Sequence, residues 1–225
     1  MFERRAAQAE TFGGAGSIFA AEEFRQMAEE LKSEEQFDQL VESIKTPPSA
    51  LPADQLLPIF VPADFFELDN WPGPYHLCKA SGLGQTWVIL QPKETMLYLN
   101  WAIQEYWESQ GFDWVQLAKD NLARLSEKNQ YTHEFRRDDG QLYAVALMQD
   151  DALGPSRLLL GDYFSGLFPQ GYDVALPEMS CGIVIAKDIT KKEREKIADI
   201  VDHCYHNGTR PLIPGIHEAT DIYSQ

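Results

Sequence analysis

Apolar residues near the end of the chain recur with the period of an α-helix. Four of them fall on one helical face, at spacings of three and four residues: Ile197, Ile200, Val201 and Cys204. Thr190 and Glu193 form a capping box that starts this helix, and Gly208 can end it. The pattern predicts a helix over about 190–206 that packs its apolar face on a strand at 181–186.

Shorter apolar runs upstream predict strands that come in pairs. The predicted strands are 75–79 and 86–90 around Ser81-Gly82, 131–136 and 142–147 around Asp138-Asp139-Gly140, and 172–176 and 181–186 around Pro177. Two further helices are predicted, one that begins near Asp113 and one from Pro155 to Phe168. Because hairpin-like pairs alternate with helices, the predicted fold class is α+β, a mostly antiparallel sheet packed by helices.

The first 62 residues differ from the rest of the chain. Residues 1–17 contain three glycines and no apolar period, which predicts a flexible leader, whereas residues 18–45 carry two helical periods and predict a helical pair. Residues 46–62 hold five prolines among apolar residues, which favours an irregular Pro-rich strap that packs on the body. Residues 63–225 form the predicted α+β body. A docked and a mobile helical pair are both compatible with this pattern.

The net charge of the chain limits the kinds of molecule that it can bind. The chain has 35 acidic and 19 basic side chains, a net charge of −16, carried mostly by residues 1–185. The electrostatic field of this charge repels nucleic acids and anionic membrane surfaces, and it permits the binding of basic proteins. No apolar run approaches the roughly 20 residues that cross a bilayer. The three cysteines are too scattered for a disulfide framework. These features predict a cytoplasmic protein that binds neither nucleic acid nor membrane.

One turn places charged side chains directly before an apolar block. Asp150 and Asp151 precede Ser156 and Arg157, after which three leucines follow. Charged groups beside a core are held by partners. The separation is long enough for the chain to fold back, so we expect Arg157 to pair with Asp150 or Asp151. These four residues are the candidate binding site.

Patterns for catalysis and metal binding fail on inspection. His203 and His206 are three residues apart while Cys204 points to the apolar face, so the three cannot ligate one metal from one helix. The sequence around Ser156 lacks the final glycine of a nucleophile elbow. Gly82 lies before a predicted strand and not before a phosphate-binding helix. The sequence therefore assigns no catalytic residue, no metal and no cofactor.

Three short motifs resemble a bacterial family. They are the helix Leu117-Ala118-Lys119-Asp120-Asn121-Leu122, the turn Asp150-Asp151 with Ser156-Arg157 and three leucines, and the strand pair around Val174-Ala175-Leu176-Pro177. Over roughly residues 85–190 the chain is similar to the YtpQ-like family, which has no established activity. The resemblance implies a cytosolic bacterial α+β protein. The family tends to have an Arg-Asp pair where this chain has Met179-Ser180, so a role for that charge pair is not implied here.

An acidic surface without a catalytic motif favours a binding or regulatory module. Such a module would capture a basic protein partner, in the manner of an inhibitor or immunity protein. One alternative is an enzyme that uses Asp150, Asp151 and Arg157, and another is a structural homo-oligomer with an aromatic-rich interface at 98–114. An enzyme needs a concave pocket with convergent polar groups, whereas a binder can present a flat acidic face.

Overall fold

The computed structural model describes residues 51–67, 71–91, 95–127, 131–149, 151 and 153–223. In chain order, the strands and helices are β1 (Leu56–Pro62), β2 (Tyr75–Leu77), β3 (Leu83–Gln91), β4 (Thr95–Tyr98), α1 (Trp101–Ser109), α2 (Trp114–Ser126), β5 (His133–Arg136), β6 (Leu142–Leu147), α3 (Gly161–Leu167), β7 (Tyr172–Glu178), β8 (Cys181–Ala186), α4 (Lys191–Asn207) and β9 (His217–Glu218). Short 3-10 helices lie at Ala53–Gln55, Ala63–Phe66, Pro155–Leu159 and Ala219–Asp221. The predicted leader at 1–17, the predicted helical pair at 18–45 and the site residue Asp150 lie outside the described residues.

The strands form two antiparallel sheets with helices packed on them, which confirms the α+β prediction. In the first sheet, β3 pairs with β1 along one side and with β2 and β4 along the other. The second sheet has the order β5-β6-β8-β7-β9. Every strand pair is antiparallel. The strands thus divide between two sheets, which the local pattern did not indicate.

Strand β1 comes from the segment predicted to be an irregular strap. It pairs with β3 from Leu56 opposite Ile89 to Pro62 opposite Leu83. Its other edge carries no paired strand among the described residues, so Pro58 and Pro62 interrupt no ladder on that side. Residues 56–61 are all buried. The strap residues that the structure describes therefore belong to the first sheet.

Helices α1 and α2 cover this sheet with a shared apolar cluster. Its buried members are Leu51, Leu56, Trp87, Ile89, Leu99, Ile103, Trp107, Trp114 and Ala118. Helix α2 starts at its predicted N-cap, since the Asp113 carboxylate accepts a hydrogen bond of 3.0 Å from the Gln116 backbone amide. Asn121 is buried in α2, and its amide nitrogen donates to the carbonyls of Ala53 and Leu56 at 3.0 and 2.9 Å. These bonds fix α2 to the start of β1.

The second sheet contains the two predicted hairpins. Strands β5 and β6 meet at the predicted Asp-Gly turn, where Gly140 adopts a φ of +85° that favours glycine. Strands β7 and β8 also pair as predicted, but Pro177 lies inside β7 and not in the turn. The register shifts between Ala175 and Glu178, so Pro177 sits in an irregular stretch where its missing donor is tolerated.

Helix α4 packs on the second sheet, as predicted. Its capping box is present, with Thr190 and Glu193 each accepting from the other's amide, and the helix ends at Gly208. Ile197 and Val201 are buried against Ile183 and Ile185 of β8, among others, while Ile200 and Cys204 pack at the margin of the same cluster. That cluster is the core under α4.

The prediction of one continuous helix over 155–168 is wrong. The structure has a 3-10 helix at Pro155–Leu159 and helix α3 from Gly161, with a break at Leu160. The Tyr223 hydroxyl accounts for the break. The Tyr223 hydroxyl donates to the Leu158 carbonyl, which a continuous helix would use internally, and a side chain at Gly161 would overlap that same hydroxyl.

The packing of α4 predicts a large effect of truncating its buried face. Ile197→Ala should lower the free energy of unfolding by about 2–5 kcal/mol, because it deletes buried methyl groups and leaves a cavity. The exposed neighbour Lys196 serves as the matched control, since Lys196→Ala should change stability by no more than about 0.5 kcal/mol. Urea denaturation followed by circular dichroism measures both. Equal stability of the two variants would contradict the placement of α4.

A charge pair between α4 and the β5–β6 hairpin predicts a pH dependence. Arg137 donates to both carboxylate oxygens of Glu193, at 2.7 and 3.0 Å. The Arg137 hydrogen bonds, helped by the Thr190 amide, lower the pKa of Glu193 from 4.5 to about 2. Because the folded pKa is lowered, the pair stabilises the fold above the unfolded pKa and loses this effect as pH falls towards 2.

Glu193→Gln should therefore destabilise by about 1 kcal/mol at pH 7, the upper range for a partly exposed pair. The stability difference between this variant and the wild type should shrink between pH 5 and pH 3. Glu195→Gln, on the exposed side of α4, is the control and should show little difference at any pH. A difference for Glu193→Gln that stays constant from pH 7 to pH 3 would rule out the Arg137 pair as its source.

Candidate functional site

The predicted pairing of Arg157 with a preceding carboxylate is confirmed for Asp151. The two terminal guanidinium nitrogens donate to the two Asp151 oxygens, at 3.0 and 2.6 Å. Arg157 is 2% exposed and the Asp151 side chain 33% exposed. Asp151 also accepts the Leu153 amide at 3.0 Å, which closes the turn between the paired residues. The bidentate geometry makes this a strong, directional ion pair.

Glycine allows this turn to approach the second sheet closely. A side chain at Gly154 would overlap the Leu147 carbonyl oxygen at the end of β6 and lie 2.8 Å from the Ser180 carbonyl oxygen. On β8, Gly182 faces the backbone of Gly154 and Pro155, where an added carbon would lie 3.1 Å away. Both glycines are needed because backbone meets backbone here.

The turn also joins the two sheets. Leu153 belongs to the cluster formed by Leu57, Ile59 and other residues of the first sheet. Leu158, five residues later, belongs to a cluster of β6, β7 and β8 that also contains Phe60 and Leu83 of the first sheet. The 3-10 helix Pro155–Leu159 accordingly contacts β1 and α2 on one side and β7 and β8 on the other. We call residues 153–160 the bridging segment.

The four predicted site residues separate into two groups. Ser156 and Arg157 lie inside the bridging segment, and both are buried. Asp151 lies at the surface beside them, and Asp150 lies outside the described residues. Asp151 accepts one hydrogen bond from each terminal nitrogen of Arg157, and the Nε donor has no hydrogen-bond partner among the described residues, but burial keeps the guanidinium away from solvent. Its geometry explains how the turn is held, and a binding role for the four residues stays a prediction.

A second feature, absent from the predicted site, is an acidic face on α1 and α2. It carries five exposed carboxylates, at Glu105, Glu108, Asp113, Asp120 and Glu127, against the two cations Lys119 and Arg124. Three of the carboxylates are seven residues apart, at 113, 120 and 127, which places them along one side of α2. That side is opposite Ala118 and Leu122, which pack on the first sheet. We call these five residues the acidic face.

No carboxylate of the acidic face forms an ion pair within the described ranges. Their bonds are to neutral groups. The Glu108 carboxylate accepts hydrogen bonds from the Gln104 side-chain amide and the Trp114 indole, and both bonds lower the pKa of its carboxyl. The Asp120 carboxylate accepts a hydrogen bond from the Gln116 side-chain amide. Five carboxylates against Lys119 and Arg124 leave this surface with a net negative charge.

Helix α4 shows the contrasting arrangement. It carries four acidic and four basic side chains, and its carboxylates are neutralised in several places. Lys191 pairs with Glu195, Glu193 pairs with Arg137, and Arg194 pairs with the buried Asp173 of β7. Helix α4 is therefore balanced in charge, whereas α1 and α2 carry an excess of carboxylates. Exposed carboxylates without an ion pair in the described ranges also lie elsewhere, at Asp64, Asp162 and Asp199 among others.

The aromatic residues of 98–114 divide between core and surface. Trp107 and Trp114 are buried in the cluster under α1 and α2. Trp101 and Phe112 are 48% and 49% exposed and flank α1 at its two ends, and Leu125 on α2 is 44% exposed. Large apolar side chains are therefore exposed on the same two helices or next to them.

The histidines at the end of α4 are engaged in local contacts. His203 contacts Asn207, and His206 contacts the carbonyl and carboxylate of Asp202. In the described ranges, no three histidine, cysteine or carboxylate side chains are grouped as metal ligands. Within the same ranges, no helix has both the length and the apolar character needed to span a bilayer.

Comparison with known proteins adds no assignment. No family model matches the chain, and no match was found among curated proteins or solved structures. The resemblance to the YtpQ-like family stays a prediction from three motifs. The structure gives two of these motifs a physical role, since Asn121 ties α2 to β1 and Asp151 pairs with Arg157.

The Arg157–Asp151 geometry predicts an asymmetric effect of removing either partner. Asp151→Asn keeps an acceptor for the Leu153 amide but leaves a buried cation without its counter-ion, and should cost about 3 kcal/mol. Arg157→Met should cost less, about 1 kcal/mol, because the remaining carboxylate is partly exposed and can be hydrated. The double variant should match Arg157→Met alone. Denaturation midpoints test this cycle, and additive losses would show that the pair does not act as a unit.

Proposed function

We propose that this protein is a binding module that captures a basic protein partner through the acidic face of α1 and α2. The observation that carries this proposal is the row of unpaired carboxylates at 113, 120 and 127 on the outer side of α2. A helix rises about 1.5 Å per residue, so successive carboxylates in this row are about 10 Å apart. A partner helix with a lysine or arginine at every seventh position has the matching spacing.

The charge of the acidic face favours fast and selective association. Like-signed carboxylates on one surface add their potentials, which attract a cationic partner and raise its association rate. Ions screen this attraction over about 8 Å at physiological salt. Association should therefore depend steeply on salt, which distinguishes capture by charge from capture by shape alone.

The exposed apolar side chains supply the short-range part of the proposed interface. Trp101 and Phe112 present large rings to solvent at the two ends of α1. Aromatic residues contribute strongly to interfaces because they bury much apolar area for few rotatable bonds. An amphipathic basic helix can place its cations on the carboxylates and its apolar residues on these rings.

The two alternatives receive less support. An enzyme built on Asp151 and Arg157 would need a charge that a substrate can reach, and Arg157 is 2% exposed with its terminal nitrogens occupied. A homo-oligomer formed through α1 and α2 would bring two acidic faces together, which like-charge repulsion disfavours. Trp107 and Trp114, part of the proposed aromatic interface, are buried within the chain.

A designed peptide tests the proposal directly. The probe is a fluorescent amphipathic helix with lysine at every seventh position and leucine beside it, and the control probe has the same composition in scrambled order. We expect the ordered peptide to bind more tightly and its affinity to fall with added salt. Asp120→Lys with Glu127→Lys should weaken binding by about tenfold or more.

The matched control is a pair of charge reversals on α4. Glu195→Lys with Asp199→Lys changes the net charge by the same amount, on a helix of balanced charge. This variant should bind the ordered peptide nearly as the wild type does. Equal losses in the two double variants, or no preference for the ordered peptide, would refute capture by the acidic face.

A further inference from the structure

Two of the three cysteines lie on facing elements of the second sheet and its helix. Cys181 begins β8 and is 2% exposed, while Cys204 lies near the end of α4 and is half-buried. Both belong to the apolar cluster between α4 and the sheet, and both are free thiols. Cys204 follows Ile197 and Val201 on the helix face that packs on β8.

Contacts at the end of α4 bring the turn that carries Cys204 to the β7–β8 turn that precedes Cys181. Glu178 is the register partner of Cys181 across the β7–β8 turn. The end of α4 lies over this turn, because a side chain at Gly208 would overlap both the Glu178 side chain and the Cys204 carbonyl oxygen. Gly208 also donates its amide to that carbonyl at 2.9 Å. Burial, and then the neighbouring Cys204 thiol and the Glu178 carboxylate, raise the pKa of Cys181 to about 12.

We infer that Cys181 and Cys204 form an oxidation-sensitive thiol pair that closes to a disulfide when the protein meets hydrogen peroxide. The bond would join the last turn of α4 to the first residue of β8. This inference is independent of the proposed function, because it concerns α4 and the second sheet, whereas the proposed function concerns α1 and α2.

The exposure of the two thiols sets the order of the reaction. Cys204 reaches solvent and reacts first, its sulfur displacing hydroxide from hydrogen peroxide to give a sulfenic acid and water. The Cys181 sulfur then attacks the Cys204 sulfur, and the Cys181 proton passes to the sulfenic oxygen. The S–S bond forms, the S–O bond breaks, and the oxygen leaves as a second water. One peroxide is thus reduced to two waters while two thiols are oxidised to one disulfide. Cys181 is a poor first nucleophile because its thiol is buried and protonated.

The third cysteine provides an internal control. Cys78 lies after β2, outside the α4 cluster, and its thiol contacts the Ile222 carbonyl oxygen at 3.4 Å. Burial raises its pKa to about 12, so it shares the low reactivity of Cys181 but has no cysteine among its described contacts. Oxidation of the pair should leave Cys78 reduced.

The test uses the full chain, reduced and then treated with hydrogen peroxide. Free thiols are alkylated and the disulfide is mapped by mass spectrometry of peptides without reduction. We expect a Cys181–Cys204 link in the wild type and in Cys78→Ser, and none in Cys204→Ser. Oxidation should also raise the melting temperature by about 5 °C or more in the first two proteins and not in the third.

The unmutated chain keeps the test decisive if a variant folds poorly, since mapping needs no substitution. A mapped intramolecular Cys181–Cys204 link supports the pair. Over-oxidation of Cys204 to sulfinic acid without a link, a link to Cys78, or a dimer joined through Cys204 would each overturn it.

Discussion

The close approach of the bridging segment to the second sheet is the constraint on which the rest of the structure depends. Backbone touches backbone at Gly154 and Gly182, so no side chain can separate the segment from the ends of β6 and β8. Leu153 then enters a cluster of the first sheet, and Leu158 enters a cluster that the second sheet shares with Phe60 and Leu83 of the first sheet. The Arg157–Asp151 pair closes the turn that sets these two leucines apart. This local ion pair thereby supports the contact between the two sheets, alongside the direct packing of Phe60 and Leu83 on the second sheet.

This constraint also positions the surface to which we assign function. The bridging segment contacts α2, whose inner side is fixed to β1 by Asn121 and by the burial of Ala118 and Leu122. With its inner side held, α2 presents its carboxylates at fixed spacing on the outside. A rigid row of charges loses little conformational entropy when a partner binds, which favours affinity. The core packing and the proposed interface are thus two sides of one helix.

The features that could be predicted from the sequence are those that depend on neighbouring residues. The capping box of α4, the Asp113 cap of α2 and the Asp-Gly turn each depend on a few neighbouring residues, and the structure has all three. The Arg157–Asp151 pair was within reach for the same reason, since only a short turn separates its members. The seven-residue spacing of the carboxylates on α2 is also visible in the sequence, but the net charge by itself does not show where the charges lie.

The features that escaped prediction are set by contacts distant in sequence. The division into two sheets follows from which strands pair, and Pro58 is acceptable in β1 only because that edge of the sheet is unpaired among the described residues. The break at Leu160 depends on Tyr223, more than sixty residues away. The approach of Cys204 to Cys181 likewise requires α4 to dock in one position. No local pattern carries this information.

The most direct test of this account is whether the two sheets unfold together. All five tryptophans lie between residues 71 and 114, on the side of the first sheet, so their fluorescence reports that half alone. Hydrogen exchange of peptides covering β6 and β8 reports the other half. If the bridging segment makes one cooperative unit, both signals should change at the same urea concentration. Loss of the tryptophan signal while β6 and β8 stay protected would contradict the account.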